Sequence, residues 1–283
     1  MQTMMPTAPT VVPPVSPLPA LFVSHGSPMM ALASGAAGAA LQAYGRTLAA
    51  REDLRAVVVM SPHWMDDVAA VGSHPQPPTW HDFGGFPPAL YRLQYPAPGD
   101  PALAHAIVAR LRAAGVAAAE DPQRPRDHGV WSPLRFLLPQ ARWPVVQVAL
   151  PLHADPAAVY AIGAALADLR DSGVLLIGSG SLTHNLGAFF GGRPAIDDPA
   201  APYVEAFAAW VWDALQAQNL AALLDYRRRA PHAERAHPTD EHLLPLFFAL
   251  GAARWPRTDA AAVTPITREV QYRHLAMDSY AFG

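Results

Sequence analysis

The chain has no cysteine among its 283 residues, which removes disulfide scaffolds, zinc-thiolate sites and cysteine nucleophiles together. Any metal must be bound through histidine or carboxylate, and a reducing compartment is compatible with the composition. Charge is sparse as well: 15 % of residues are charged and the formal net charge is −3. No basic run exists beyond Arg227-Arg228-Arg229, so the clustered cations of a nucleic-acid footprint are missing. That triplet reads as a solvated helix end. No uninterrupted apolar stretch reaches the roughly 18 residues of a membrane-spanning helix. The first twenty residues lack a positive leader and a continuous apolar core, and they carry prolines at positions 6, 9, 13, 14, 17 and 19. Residues 1–19 therefore read as a flexible tail rather than a secretory signal, with the cytoplasm as the default location.

What is present is apolar: 51 % of residues are hydrophobic, enough for a substantial core. Short strand-like runs alternate with helical spacing. Strands are expected at Ala20 to Ser24, Ala56 to Pro62, Val145 to Leu150 and Val174 to Ile177. Helices are expected from about Ser34 to Arg51, Asp100 to Ala114, Asp155 to Asp171, Pro202 to Gln218, Leu220 to Arg229 and Thr239 to Ala252, with β structure over Val263 to Phe282. Asp100 followed by Pro101 is a helix start with cap and first-turn proline. This order predicts one α/β domain over residues 20–283, with a mainly parallel central sheet and helices on both faces. Residues 72 to 99 break the rhythm, being dense in Pro, Gly and aromatics. They read as a pocket wall or lid, with a proline-rich surface excursion as the plainer alternative.

Four histidines stand at or just past the ends of apolar runs: His25, His63, His153 and His184. In an open parallel sheet the carboxyl ends of the strands line one crevice, so these imidazoles are expected to meet there and suggest a metal site. His25 sits in a sharp turn before Gly26, and His63 follows Pro62, which cannot donate a ladder bond and reads as the end of its strand. His184 follows Gly178-Ser179-Gly180-Ser181, whose glycine spacing matches neither phosphate-binding fingerprint, so an acid/base role suits it better. His237 precedes a capped helix and His242 lies within it, the latter read as structural. His128 opens another helix; a dyad with its neighbour Asp127 is not expected. His153 has the weaker context, and His74, His81, His105, His232 and His274 read as ordinary.

At these residues the chain resembles the class III extradiol ring-cleavage dioxygenases (LigB-like), in the branch that includes 4,5-DOPA extradiol dioxygenase. The matching segments are Phe22-Val23-Ser24-His25-Gly26-Ser27-Pro28, Ser61-Pro62-His63-Trp64, Asp82-Phe83-Gly84-Gly85-Phe86-Pro87, Asp127-His128-Gly129-Val130-Trp131, Gly178 to Leu186, and His237-Pro238-Thr239-Asp240-Glu241-His242. The resemblance implies one divalent metal per chain held by His25, His63 and His237. It also implies His184 as acid/base and possible fourth ligand, and His128 contacting substrate. Three imidazoles suit Zn(II) as well as Fe(II), and affinity order favours zinc, so purified protein is expected to carry Zn(II) while activity requires Fe(II). The implied partners are a small catechol, DOPA-like or related, and O2, with no nucleic acid and no membrane, in a monomer or small homo-oligomer. Phe83, Phe86 and Trp64 are the expected substrate-pocket residues. Arg92, Arg124 and Arg126 are candidates to pair a substrate carboxylate, although exposed arginine is the commoner role. A zinc hydrolase and a non-enzymatic binding protein of the same superfamily are the alternatives.

Overall fold

Alternation at every second residue decides which face of the sheet each strand side chain covers. Along β2 (Ala56–Asp66), Val57 and Val59 enter one core and Val58 and Met60 the other. The same division splits Leu21 and Val23 from Phe22 in β1 (Ala20–Ser24), and Leu175 and Ile177 from Leu176 in β6 (Val174–Gly180). Strands apolar on both faces must be covered on both, as parallel sheets are. A computed structural model describes residues 16–256 and 263–283.

The remaining strands are β3 (Ala69–Gly72), β4 (Ala118–Asp121), β5 (Val145–Pro151), β7 (Val263–Thr267), the short pair β8 (Val270–Gln271) and β9 (Leu275–Ala276), and β10 (Ser279–Phe282). Eight of them form one sheet in the order β4-β3-β5-β2-β6-β1-β10-β7. The central four, β5-β2-β6-β1, are mutually parallel, and antiparallel β10 and β7 close one side. The helices are α1 (Gly35–Ala49), α2 (Pro101–Ala113), α3 (His128–Leu137), α4 (Pro156–Leu166), α5 (Leu186–Gly192), α6 (Pro202–Gln216), α7 (Leu220–Leu224), α8 (Tyr226–Arg229), α9 (Ala233–Ala236) and α10 (Leu244–Ala252). Leu41 of α1 and Trp131 of α3 pack on one face; Ile107 of α2, Ile162 of α4, Phe207 of α6 and Phe247 of α10 pack on the other. The expected α/β domain is the observed one. Asp100 caps α2 through the Leu103 N–H at 2.9 Å, with Pro101 at the first helical position.

Three local departures bear on the site. β2 does not end at Pro62: it continues to Asp66, with its register against β5 shifting between Ser61 and Met65. The proline sits in this irregularity, where its missing N–H is tolerated and the strand bends. The last long helix begins at Leu244 rather than Thr239. Pro245 at its start explains this, because a proline ring deeper in the helix would collide with the preceding turn. His242 consequently lies in the approach to α10, where its side chain is free to turn away from the helix. Finally, of the expected tail, residues 1–15 lie outside the described residues, while Leu18 is fully buried and exchanges backbone and side-chain hydrogen bonds with Arg170.

Candidate metal centre

Five imidazoles converge at the carboxyl ends of the central strands. His25 leaves β1, His63 projects from the β2 irregularity, His128 opens α3, His184 follows β6, and His242 precedes α10. The rings of His25, His63 and His242 form a triangle with centroid separations of 5.0, 5.1 and 5.5 Å. The Nε2 atoms of His25 and His63 face each other at 3.1 Å. Imidazoles bound tetrahedrally at about 2.0–2.1 Å would hold their nitrogens about 3.3 Å apart and their centroids about 5 Å apart. The His25–His63 pair therefore fits two ligands of one divalent cation; His128 brings a donor atom within 4.8 Å of both, and His184, Glu241 and His242 form a second such group beside them. His184 stacks on His242 at 3.5 Å, and His128 flanks His63 at 4.1 Å.

Three of the rings, those of His25, His128 and His242, are held by their other nitrogen. The Ser179 hydroxyl donates its one hydrogen to the Gly129 carbonyl, so it accepts from His25 Nδ1–H at 3.0 Å and leaves Nε2 bare. Asp82 accepts from His128 Nδ1 at 3.0 Å and from the His128 backbone N–H at 2.9 Å, and lies 3.4 Å from His63 Nδ1. Glu241 accepts from His242 Nδ1 at 3.2 Å and from the Thr239 hydroxyl. Carboxylate and hydroxyl partners of this kind fix tautomer and ring orientation for a metal. Burial, reinforced by neighbouring imidazoles, pushes His25 and His242 well below their ordinary value and His63 to about 3. Burial likewise lowers His184 to about 4. These rings are neutral at pH 7, the protonation state that ligation requires.

Glycine makes the close approaches possible. A Cβ on Gly180 would lie 2.2 Å from the His242 carbonyl oxygen, and one on Gly129 would lie 2.3 Å from Ser61 Oγ and 2.9 Å from the His63 ring. The Gly178-Ser179-Gly180-Ser181 run thus packs the sheet against the 242–245 backbone, and Ser181 N–H donates to the His242 carbonyl at 2.9 Å. It does not cradle a phosphate.

His237, expected as a metal ligand, stands apart from the triangle of rings. Its ring is fully buried beside Phe207, and Nε2 donates to the Leu182 carbonyl at 2.8 Å. Through that nitrogen it ties the strand-end loop carrying His184 to the loop carrying His242, while Nδ1 is buried without a hydrogen-bond partner. His242, read from the sequence as structural, is the ring that stands beside His25 and His63. Trp64 also stands apart: one residue past His63 it faces the opposite way, packing with Ala70 and Ala149 under Arg124. His153 is exposed and stands apart from the cluster. Arg126 is buried and donates to the carbonyls of Tyr95, Ala97 and Val145. Arg124 donates to His63 O at 2.9 Å and Asp127 at 3.2 Å, and Arg92 is exposed, so none of the three lines the site.

A cavity of about 350 Å³ opens over the imidazoles. Phe83 and Phe86 line it as expected, together with Asp82, His128 and His184. Leu186, Phe189 and Phe190 of α5, with Tyr272 and Leu275 from the β8–β9 hairpin region, complete the wall. Apart from Leu186, which ends a matching segment, these carried no sequence signal, because only the fold brings them to the cavity.

The sequence model described as the catalytic LigB subunit of aromatic ring-opening dioxygenase matches residues 19–283. The chain belongs to the LigB family. It is 39 % identical over 233 residues to a 4,5-DOPA dioxygenase extradiol of Beta vulgaris, covering 82 % of this chain and 85 % of that one. A protein of the same name from Escherichia coli K12 is 38 % identical over 239 residues, covering 83 % and 85 %. The crystal structure of an uncharacterized Escherichia coli K12 protein superposes with a TM-score of 0.72 at 28 % identity, covering 94 % of this LigB-family chain and all of the other. Among the described residues no helix is long and apolar enough to cross a membrane.

Proposed function

We propose that this LigB-family protein is a metal-dependent extradiol dioxygenase that opens a catechol-type ring with O2. The triangle of His25, His63 and His242, with His184 and His128 beside it and an apolar cavity above, is the observation that carries the reading. Bound Fe(II) supplies the redox chemistry that joins O2 to the ring, for which redox-silent Zn(II) has no equivalent; we assign iron to the active enzyme and zinc to protein as purified. The protein's own residues position and move protons. His184, neutral and half-buried at the cavity floor, accepts a proton from one catechol hydroxyl and returns it as the ring opens. His128, whose Nδ1–H is committed to Asp82, presents Nε2 to the second hydroxyl. Phe83 and Phe86 stack against the ring and exclude water from the reacting atoms. In the stack with His242 the two in-plane lone pairs run parallel, so His184 serves as a fourth ligand only by turning out of that stack.

Oxygen uptake by anaerobically iron-reconstituted protein, given L-DOPA and a small catechol panel, tests this. Uptake stoichiometric with a new visible absorbance, absent from zinc-loaded protein and from His184→Ala, is the expected result. A hydrolase consumes no oxygen, so silence with iron occupancy confirmed would reject the ring-cleavage reading.

A further inference from the structure

The wall around the imidazoles is unevenly built. Its inner part carries the histidines and Asp82, whereas its outer part is formed by Met29, Phe83, Phe86, Leu186, Phe189 and Phe190. Phe83 stands against His128 at 5.4 Å and against Phe86 at 5.3 Å, so an apolar surface runs from the reacting centre toward the mouth. There, Phe190 is 66 % and Leu186 45 % exposed, an unusual position for large apolar side chains unless something covers them. The chain contains no lysine, and no arginine among the described residues lines the cavity. Arg124 and Arg126, the cations nearest in sequence to His128, are committed to carbonyls and to Asp127. The charged group that does face the cavity is Asp82, an anion already holding His128 and adjoining His63.

We propose that this outer wall selects catechols whose ring substituent is neutral and apolar, in preference to those ending in a carboxylate. The inference rests on the ring-cleavage reading for the catechol itself, and on the wall for the substituent. A carboxylate entering here would shed water without meeting a cation and would approach Asp82, both unfavourable. An alkyl chain would instead cover Phe86, Phe189 and Phe190. A cavity of about 350 Å³ has room for a ring with a short chain. Phe190 is then a specificity-determining residue, since it lies at the mouth and its replacement disturbs little of the core.

The test pairs 4-propylcatechol with dihydrocaffeate, which has the same chain ending in a carboxylate, and adds 4-methylcatechol. Binding is measured calorimetrically on zinc-loaded protein, and kcat/KM by oxygen uptake on iron-loaded protein. At about 0.8 kcal/mol per buried methylene, the two extra carbons of the propyl chain should tighten binding by about tenfold over methyl. Dihydrocaffeate should bind at least about tenfold more weakly than 4-propylcatechol. Phe190→Arg should narrow that gap from both sides. Equal affinities, a preference for dihydrocaffeate, or no response to Phe190→Arg would overturn the inference while leaving ring cleavage intact. Apolar preference in binding without oxygen uptake would uphold the inference for the wall and reject the reaction. Binding of none of the three would overturn both.

Discussion

At the scale of single residues, the site is organised by what each imidazole does with the nitrogen that faces away from the cavity. His25, His128 and His242 donate it to Ser179, Asp82 and Glu241, which leaves the other nitrogen bare and aimed inward. Asp82 serves two rings at once, so Asp82→Asn should lower metal affinity or turnover about 10- to 100-fold, the usual cost of losing such a partner. Metal titration and oxygen uptake on that variant check it; unchanged values would mean the rings are oriented by packing alone. Trp64 and Phe83 make a contrasting pair. Phe83→Ala should raise KM for a catechol several-fold, whereas Trp64→Phe should leave it unchanged, because Trp64 lies behind the sheet strand. Strand-end placement made His25, His63 and His184 legible in the sequence. Asp82 was visible only as part of a motif, since its partner His128 is 46 residues away and contact at that separation is a property of the fold.

At the scale of elements, two details of chain geometry place the donors. The register shift in β2 turns His63 toward the cavity and Trp64 away from it, and Pro245 delays α10 so that His242 precedes the helix. Cap residue and apolar spacing predict one helix over residues 239–252. Pro245 starts the helix at Leu244 instead, which leaves His242 outside it. Both histidines lie in the same motif, so spacing alone could not separate them. Strand and helix positions elsewhere were legible because the apolar period and the caps agree, as at Asp100-Pro101 and Asp155-Pro156. The aromatic wall on α5 was not, because nothing local marks which helix face meets a site. Gly180 tests the element-scale account. Its substitution by alanine places a Cβ against the His242 carbonyl, and should cost about 1–3 kcal/mol of stability while weakening metal binding. Gly84→Ala, which meets nothing within 4 Å, should do neither. Denaturant midpoints and metal affinities of the two variants make the comparison.

At the scale of the whole molecule, gathering neutral imidazoles in one buried place makes the fold acid-sensitive. A histidine whose folded value lies below its unfolded value of about 6.5 stabilises the protein fully above that pH, and the contribution is lost as pH falls toward the folded value. His184 at about 4, and His63 and His237 at about 3, all act in this direction. Asp278, raised to about 6 by burial, works oppositely: its contribution is complete at low pH and lost as pH rises through 6. The histidines are more numerous and more strongly shifted, so they set the sign. Metal-free protein should therefore lose thermal stability steadily between about pH 6.5 and 4, and saturating Zn(II) should raise the midpoint by a nearly constant amount over that range, falling off only near pH 4, where the folded rings begin to take up protons. A flat profile would show that the rings titrate in the folded state as they do in the unfolded chain.

If the metal rests on His25, His63 and His242 rather than on His237, metal content in two variants will show it. His237→Gln keeps an amide donor within reach of the Leu182 carbonyl, while His242→Ala removes a ring from the triangle. After loading with Fe(II) and desalting under anaerobic conditions, wild type and His237→Gln should each retain about one metal per chain, and His242→Ala should retain almost none. Retention by His242→Ala together with loss from His237→Gln would contradict the account.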